Sequence, residues 1–419
     1  MLQKIVRQFP ADLEEYFKRI IEAVRPQYRE EMSRIFLITV DELHPLPLFA
    51  FSLLENLCSD RTFAINYPMR PISEDEITPH YPRWTSWINN RCSDLLVIDD
   101  QPHPTFLSHS VDFLHRSVRD FLRDNYYPNL LLNMRTEFCS TMMLAGMCLV
   151  LLKSLSIKDF RNDHSLYVVS FSLMDDILYY VHETEKRDED YTKIIVATLD
   201  EVDRVIGQHA RDFRIHSPSS DLRPVTCLDV YINDDRYSFL GLTIQARLVK
   251  YVGAKLLECP SRVRKRGRPL LDYALRPKRT ISVTMPYHSQ REAPSMDIEM
   301  IRLLLNNGAD PNEGVDDQTV WAMFLLSCHE SNNDGSLDYN TNGGVVVQAR
   351  VSKARLLACE LLISYGARWD CPLTEEKREL TVSSVLQGLF GVVQTKRLEK
   401  LAEEKAQEMQ RSGIACILM

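Results

Sequence analysis

Glycine is the residue that most limits what this chain can fold into. There are 14 glycines in 419 residues, about half the share of an average protein, and none before Gly146. Phosphate-cradling loops, tight hairpins and doubly wound nucleotide folds need glycine where the backbone must reach positive φ or approach a ligand closely. A helix-rich chain needs few. The count predicts a mainly α protein and argues against a nucleotide-binding enzyme.

The motifs agree with that exclusion. No glycine is followed by lysine, so there is no P-loop, and neither G-x-G-x-x-G nor G-x-S-x-G occurs. His182-Glu183 and His329-Glu330 look like half of a zinc-protease helix motif, but Lys186 and Asn333 stand where its second histidine belongs. Glu330, Asn332, Asp334 and Gly335 imitate the front of a calcium loop, whose twelfth position here is Thr341 and not a bidentate glutamate. Asp99, Asp100, His103 and His109 lack a tight ligand spacing, so no metal site is expected. Trp84 and Trp87 read as core anchors and not as a ligand cage.

Composition sets the class. Hydrophobic residues make up 45%, charged residues 26%, and the net charge is -8, a soluble globular balance with room for two or three domains. Ten cysteines are scattered without a C-x-x-C pair, which predicts reduced, largely buried thiols in a cytoplasmic protein. No signal peptide is visible behind Met1. The most apolar run, Met142 to Leu152, is too short for a bilayer span of ~20 residues and predicts a buried helix.

Apolar periodicity divides the chain into four parts. Residues 1–127 read as helices followed by a hairpin, a winged-helix-like arrangement. Leu13, Phe17, Ile20, Ile21 and Val24 share one helical face, and Leu48 to Leu57 and the region of Trp84 to Leu95 give further helices. Leu95 to Ile98 and Ser110 to Phe113 read as two strands. Residues 128–258 read as a helical domain with helices over Leu130 to Leu155, Leu166 to Glu183, Tyr191 to Ile206 and Tyr237 to Leu257.

Residues 259–374 carry a repeat. Ile298-Glu299-Met300-Ile301-Arg302-Leu303-Leu304-Leu305-Asn306-Asn307-Gly308-Ala309-Asp310-Pro311-Asn312 resembles the second helix and outgoing loop of an ankyrin repeat. Gly308 would end the helix in the left-handed region, Ala309 would fit against the neighbouring repeat, and Asp310 would belong to the turn. Ala358 to Asp370 is a weaker copy, with Gly366 and Ala367 in the matching places. First helices start at Gly267-Arg268-Pro269 and at Thr319-Val320-Trp321. The two loop glycines lie 58 residues apart against a period of ~33, so each unit is expected to hold an insertion, Arg279 to Pro294 and His329 to Gly344. Two units bury too little core alone. Tyr237 to Leu257 is expected to cap one end and Val382 to Met409, within residues 375–419, the other.

Three strings in the first part carry a second resemblance: Phe9-Pro10-Ala11-Asp12-Leu13-Glu14-Glu15-Tyr16-Phe17, Pro45-Leu46-Pro47-Leu48, and Phe113-Leu114-His115-Arg116-Ser117-Val118-Arg119-Asp120-Phe121-Leu122. Together they resemble the region following the NACHT ATPase module in fungal NOD-like (STAND) receptors, over roughly residues 1–125. The resemblance implies a winged-helix domain whose histidine, here His115, contacts the diphosphate of bound ADP. The nucleotide module itself is missing from this chain, so His115 is expected to bind only with a NACHT module in cis or in trans.

Two further signals remain. Cys416-Ile417-Leu418-Met419 fits a C-a-a-X ending of the farnesyl type, so Cys416 is a lipidation candidate for a peripheral membrane regulator; the mixed charges upstream supply no polybasic second signal. Arg262, Arg264, Lys265, Arg266 and Arg268 form a basic run, and Arg266-Gly267-Arg268-Pro269 matches the core of a minor-groove AT-hook, though a solvated turn is the simpler reading. The reading favoured by these features is a non-enzymatic protein without cofactor. It would bind protein partners through the loops of its repeats, near Asp310 to Asp317 and Arg368 to Cys371.

Overall fold

The computed structural model describes residues 13–99, 107–155, 164–187, 190–216, 239–264, 268–276, 296–315, 318–333, 344–375 and 378–417. The fold is mainly α, with small two-stranded antiparallel sheets. The chain forms two compact units, one holding the described residues up to 216 and the other those from 239 onward.

In the first unit, helix α1 (residues 13–22) buries Phe17 and Ile21, as its periodicity predicts. Pro26 then opens a 3₁₀ turn, Pro26–Tyr28, that leads into α2 (Arg29–Asp41). The apolar run at 48–57 is not one helix: α3 (Leu48–Ser52) and α4 (Leu54–Ser59) meet at Leu53. Residues 48–51, 53 and 54 are all buried while Glu55 and Asn56 are exposed, so the run wraps the core in two short pieces of which only the second has a solvent face. There follow α5 (Phe63–Asn66), α6 (Glu74–Ile77) and α7 (Tyr81–Cys92).

The predicted hairpin forms from β1 (Leu96–Ile98) and β2 (Val111–Phe113), with Leu96 opposite Phe113 and Ile98 opposite Val111. Next come α8 (Arg116–Phe121), a π-helical turn at Leu122–Tyr126 and α9 (Tyr127–Leu132). Pro128 explains the π turn. It has no N–H for the carbonyl four residues back, and its ring clashes with an unbroken α-helix there. The widened turn sets Tyr126 against the Phe121 ring and carries the Tyr127 hydroxyl to Asp41.

A single helix over 130–155 is also corrected. The chain leaves α9 at Leu132 and re-enters as α10 (Ser140–Lys153). Between them Asn133 donates to Ser33 Oγ, and Glu137 accepts from Arg61 and Tyr191, so the polar link is held from outside. All of α10 except Met143 is buried, which fits its all-round apolar sequence. It packs against α2 to α5 and against α11 (His164–Glu185) and α12 (Thr192–His216). The expected domain boundary between 127 and 128 therefore falls inside one compact unit, because α10 supplies the core of the helices before it. Gly146, the first glycine, sits where α10 meets α4; a Cβ there would lie 3.0 Å from Leu57 Cδ2.

Among its described residues the second unit is a stack of four helix pairs. The expected helix 237–257 is α13 (Phe239–Gln245) and α14 (Val249–Glu258), reversed through Arg247 at φ 62. The reversal buries Leu248 completely. α15 (Leu270–Leu275) pairs with α16 (Ile298–Asn306), and α17 (Val320–Asn333) precedes α18 (Gly344–Ser364). The last segment, α19 (Val382–Ile417), bends at Gly391, φ 79, and supplies both members of the final pair. First helices pack on first helices (α13, α15, α17, α19) and second on second. Hairpins β3 (Gly314–Val315) with β4 (Gln318–Thr319), and β5 (Leu373–Glu375) with β6 (Arg378–Leu380), link the pairs and were not expected. The insertion expected from His329 is shorter at its start, since α17 continues through Asn333; that places Glu330 and Asn332 of the calcium-loop imitation on a helix. Residues 279–294 and 334–343 lie outside the described residues.

Eight cysteines among the described residues are free thiols, six of them buried. Among the described residues no helix is long and apolar enough to cross a membrane, and no group of His, Cys, Asp and Glu could hold a metal.

Candidate functional site

The densest polar chemistry lies where α2 ends. Four consecutive residues are fastened to α8, α9, α10 and α11. Asp41 accepts from Tyr127 of α9 (2.7 Å) and from Ser140 at the start of α10. The Glu42 carbonyl accepts from Arg119 of α8 (2.9 Å). The Leu43 N–H donates to Tyr180 Oη of α11 (2.9 Å). His44 Nε2 lies 3.4 Å from Asp176 Oδ2, also of α11. These contacts span 77 to 137 residues of sequence, so folding alone assembles them.

Burial controls the electrostatics of this junction. Glu42 is 2% exposed and Asp176 1% exposed. Loss of water pushes both carboxyls well above the ordinary range, and nearby Asp112 adds to the effect on Glu42 and Asp175 on Asp176. Arg119 and the Leu46 N–H oppose the shift of Glu42 without cancelling it. Among the described residues, Glu42 Oε2 and both oxygens of Asp176 have no hydrogen-bond partner. The 3.4 Å approach of His44 is long for a hydrogen bond, and burial favours the protonated form of Asp176. Burial likewise raises Cys148 of α10 and Tyr180 well above their usual values, and raises Tyr127 to about 12 with Asp41 contributing. In this closed setting the chemistry open to the junction is proton exchange.

A second buried charge holds α5, α10 and α12 together. Lys153 Nζ donates to the carbonyls of Ala64 (3.0 Å), Ile65 (2.6 Å) and Tyr67 (2.9 Å), and pairs with Glu201 at 2.5 Å. Burial lowers its pKa, and Glu201 opposes that shift. Beside it a pocket of 30 Å³ is lined by Leu57, Arg61, Glu137, Cys139 and Tyr191, among others, with room for one or two waters.

The sequence-derived candidates are distributed over both units. His115 is exposed and forms the N-cap of α8. Its Nδ1 accepts from the Ser117 N–H (3.1 Å) and lies 2.8 Å from Ser117 Oγ. Both contacts use Nδ1. Gly308 (φ 91) and Gly366 (φ 92) end α16 and α18 in the left-handed region, as predicted. The following Ala309 and Ala367 are buried and donate back to Leu304 and Leu362 in the same pattern. Asp310 is exposed and accepts from the Asn312 N–H at 2.8 Å.

The loops after α16 and α18 are joined to each other. Asn312 donates through Nδ2 to the Gly366 carbonyl (2.8 Å) and accepts at Oδ1 from the Arg368 N–H (2.9 Å). Trp321 Nε1 donates to the Arg368 carbonyl (3.1 Å), and Tyr365 donates to Asn306. Asp310, Arg368 and Asp370 stay exposed on this braced backbone. Sequence reasoning missed Asn312 as the brace, although it closes the repeat motif.

The basic run is corrected at Arg268. That side chain is 4% exposed, bonded to Asp272 Oδ2 at 2.6 Å, and lies 4.2 Å over the Tyr273 ring. Arg276 pairs with the other Asp272 oxygen at 2.6 Å. An arginine held in this way cannot enter a DNA groove. Gly267 lies outside the described residues. Cys416 falls on the backbone of α19 near its end, and Leu418 and Met419 lie outside the described residues.

The fold and sites define a mainly helical protein with a polar junction in one compact unit and a braced helix-pair stack in the other. Comparison with known families places a domain of unknown function (DUF7791) on residues 23–187. The matched segment contains every group of the α2 junction from Asp41 to Tyr180. No curated protein matches the chain, and no solved structure does.

Proposed function

We propose that this is a non-enzymatic, cytoplasmic interaction protein that binds protein partners through an ankyrin-type stack. The observation that carries the reading is the braced pair of loops. Asn312, Trp321 and Tyr365 hold the two backbones together, while Asp310, Arg368 and Asp370 face solvent. A preorganised backbone lowers the ordering cost of binding, and repeat stacks commonly use such surfaces. In this reading the first unit is a winged-helix-like region of the kind that follows a NACHT module. Exposed His115, with both of its contacts at Nδ1, would turn Nε2 toward a phosphate held by a NACHT-bearing chain. No cofactor is assigned to this chain itself.

Proximity labelling in cells tests the proposal. The triple change Asp310→Ala, Arg368→Ala, Asp370→Ala is expected to remove a defined set of labelled neighbours that His115→Ala retains. An unchanged set would remove the loops from the binding surface.

A second reading rests on Cys416-Ile417-Leu418-Met419 and on the exposure of α19 ahead of it at 403, 404, 406–408, 410 and 411. Farnesylation at Cys416 would give weak, reversible membrane attachment. Cys416→Ser is expected to shift the protein from the membrane to the soluble fraction. An identical distribution would end that reading.

A further inference from the structure

The α2 junction buries two acids whose oxygens lack sufficient partners, and this has a consequence for how the first unit responds to protons. We propose that the exit of α2 is a proton-held latch: Glu42 and Asp176 close the α2–α10–α11 junction in their protonated forms, and loss of those protons releases it. The proposal goes beyond the partner-binding reading and does not depend on it.

The geometry carries the argument. Glu42 caps the C-terminal end of α2, where the helix dipole disfavours a negative charge. Around it stand Asp112 of β2, Arg119 of α8, Cys148 of α10, Tyr180 of α11, and Asp41 and His44 on its own segment. Arg119 is the cation facing it, and that side chain is already bonded to the Glu42 carbonyl. Asp176 faces His44 from the α2 exit, Cys148 from α10, and Tyr180 and Asp175 on α11. Ionised, either acid would place a charge among buried groups without enough donors to satisfy it. The relief is movement of residues 42–44 toward water. Such movement breaks the Leu43–Tyr180 bond and the Arg119 bond, and so loosens α8, whose first turn His115 caps.

The sign follows from linkage. The closed junction binds protons more tightly than the open one, because burial raises both acids. Its stability is therefore full below the ordinary carboxylate range and falls as pH rises through the folded values.

Cys148, fully buried among these groups, reports opening. The full chain is alkylated with N-ethylmaleimide from pH 5.5 to 8.5, and the rate at Cys148 is followed by peptide mass spectrometry. Wild type is compared at each pH with Glu42→Gln and Asp176→Asn, so the intrinsic pH dependence of the thiol cancels. The wild-type to variant ratio is expected to rise several-fold between pH 5.5 and pH 8.5, as the buried acids lose their protons in wild type and the variants have none to lose. Cys359, buried in the second unit, serves as the unaffected control. A flat ratio, or variants that label faster than wild type at every pH, would overturn the latch. If Glu42→Gln does not fold, Asp176→Asn together with hydrogen exchange of residues 41–46 gives the same decision.

Discussion

The two units of this protein hold themselves together in different ways. The first is tied by contacts between distant parts of the chain. Lys153 reaches carbonyls 86 to 89 residues away, and Leu43 and Tyr180 are 137 apart. The second is tied pair by pair. Its loop contacts join residues 47 to 59 apart, one repeat to the next. A globular core shares each strut among several elements, so losing one strut is felt throughout. A stack contacts only its neighbours, so damage stays local.

The largest expected break in this comparison is Lys153→Met. It leaves three carbonyls and Glu201 without their ammonium, and removing one partner of a buried pair costs about 3–5 kcal/mol. Urea unfolding with hydrogen exchange read by mass spectrometry should show residues 29–153 losing protection together, with 296–375 unchanged. Equal loss in both units would contradict the division.

Gly241→Ala tests the stack in the same way. A Cβ there would lie 2.7 Å from the Tyr273 ring, and the Arg268 guanidinium lies 4.2 Å over that ring. Overpacking of this kind costs about 1–3 kcal/mol. Protection should fall in α13 and α15 and persist in α18. A fall along the whole stack would show stronger coupling than neighbour contacts give.

Asn312→Ala removes two hydrogen bonds between loops, a loss of about 1–2 kcal/mol. The expected sign is faster exchange at the Arg368 amide with little change in the first unit. The smallest effect belongs to His115→Ala. Loss of an N-cap on a six-residue helix costs about 1 kcal/mol or less, and only the start of α8 should fray. His115→Asn keeps an acceptor at the cap and should restore protection at the Ser117 amide.

Much of the local structure was legible beforehand. The hairpin at 96–113, the glycine-ended loops at 308 and 366 and the buried helix at 142–152 all follow from residue types at fixed spacing. The count of stacked pairs did not follow. A helical period runs without interruption through Ala246-Arg247-Leu248, yet Arg247 adopts the left-handed region because the reversal buries Leu248 and stacks two helices in place of one. Gly391 carried a signal that could have been used, since glycine inside a helical pattern marks a place where positive φ is cheap. The α2 junction had none. Asp41-Glu42-Leu43-His44 reads as an ordinary polar helix end, and Asp176 as one acid on a long helix.

The chain's own sequence determined helix content, the places where helices start and stop at proline and glycine, and which faces are apolar. These are local properties, set by backbone sterics and by side-chain spacing of a few residues. Tertiary structure alone decided that α10 unites residues on both sides of the expected 127–128 boundary, that Arg268 turns inward to Asp272, and that two carboxyls share a dry junction. Each of these depends on how much water the rest of the fold removes, and desolvation is a property of the assembled neighbours, with no signature in the residue that undergoes it.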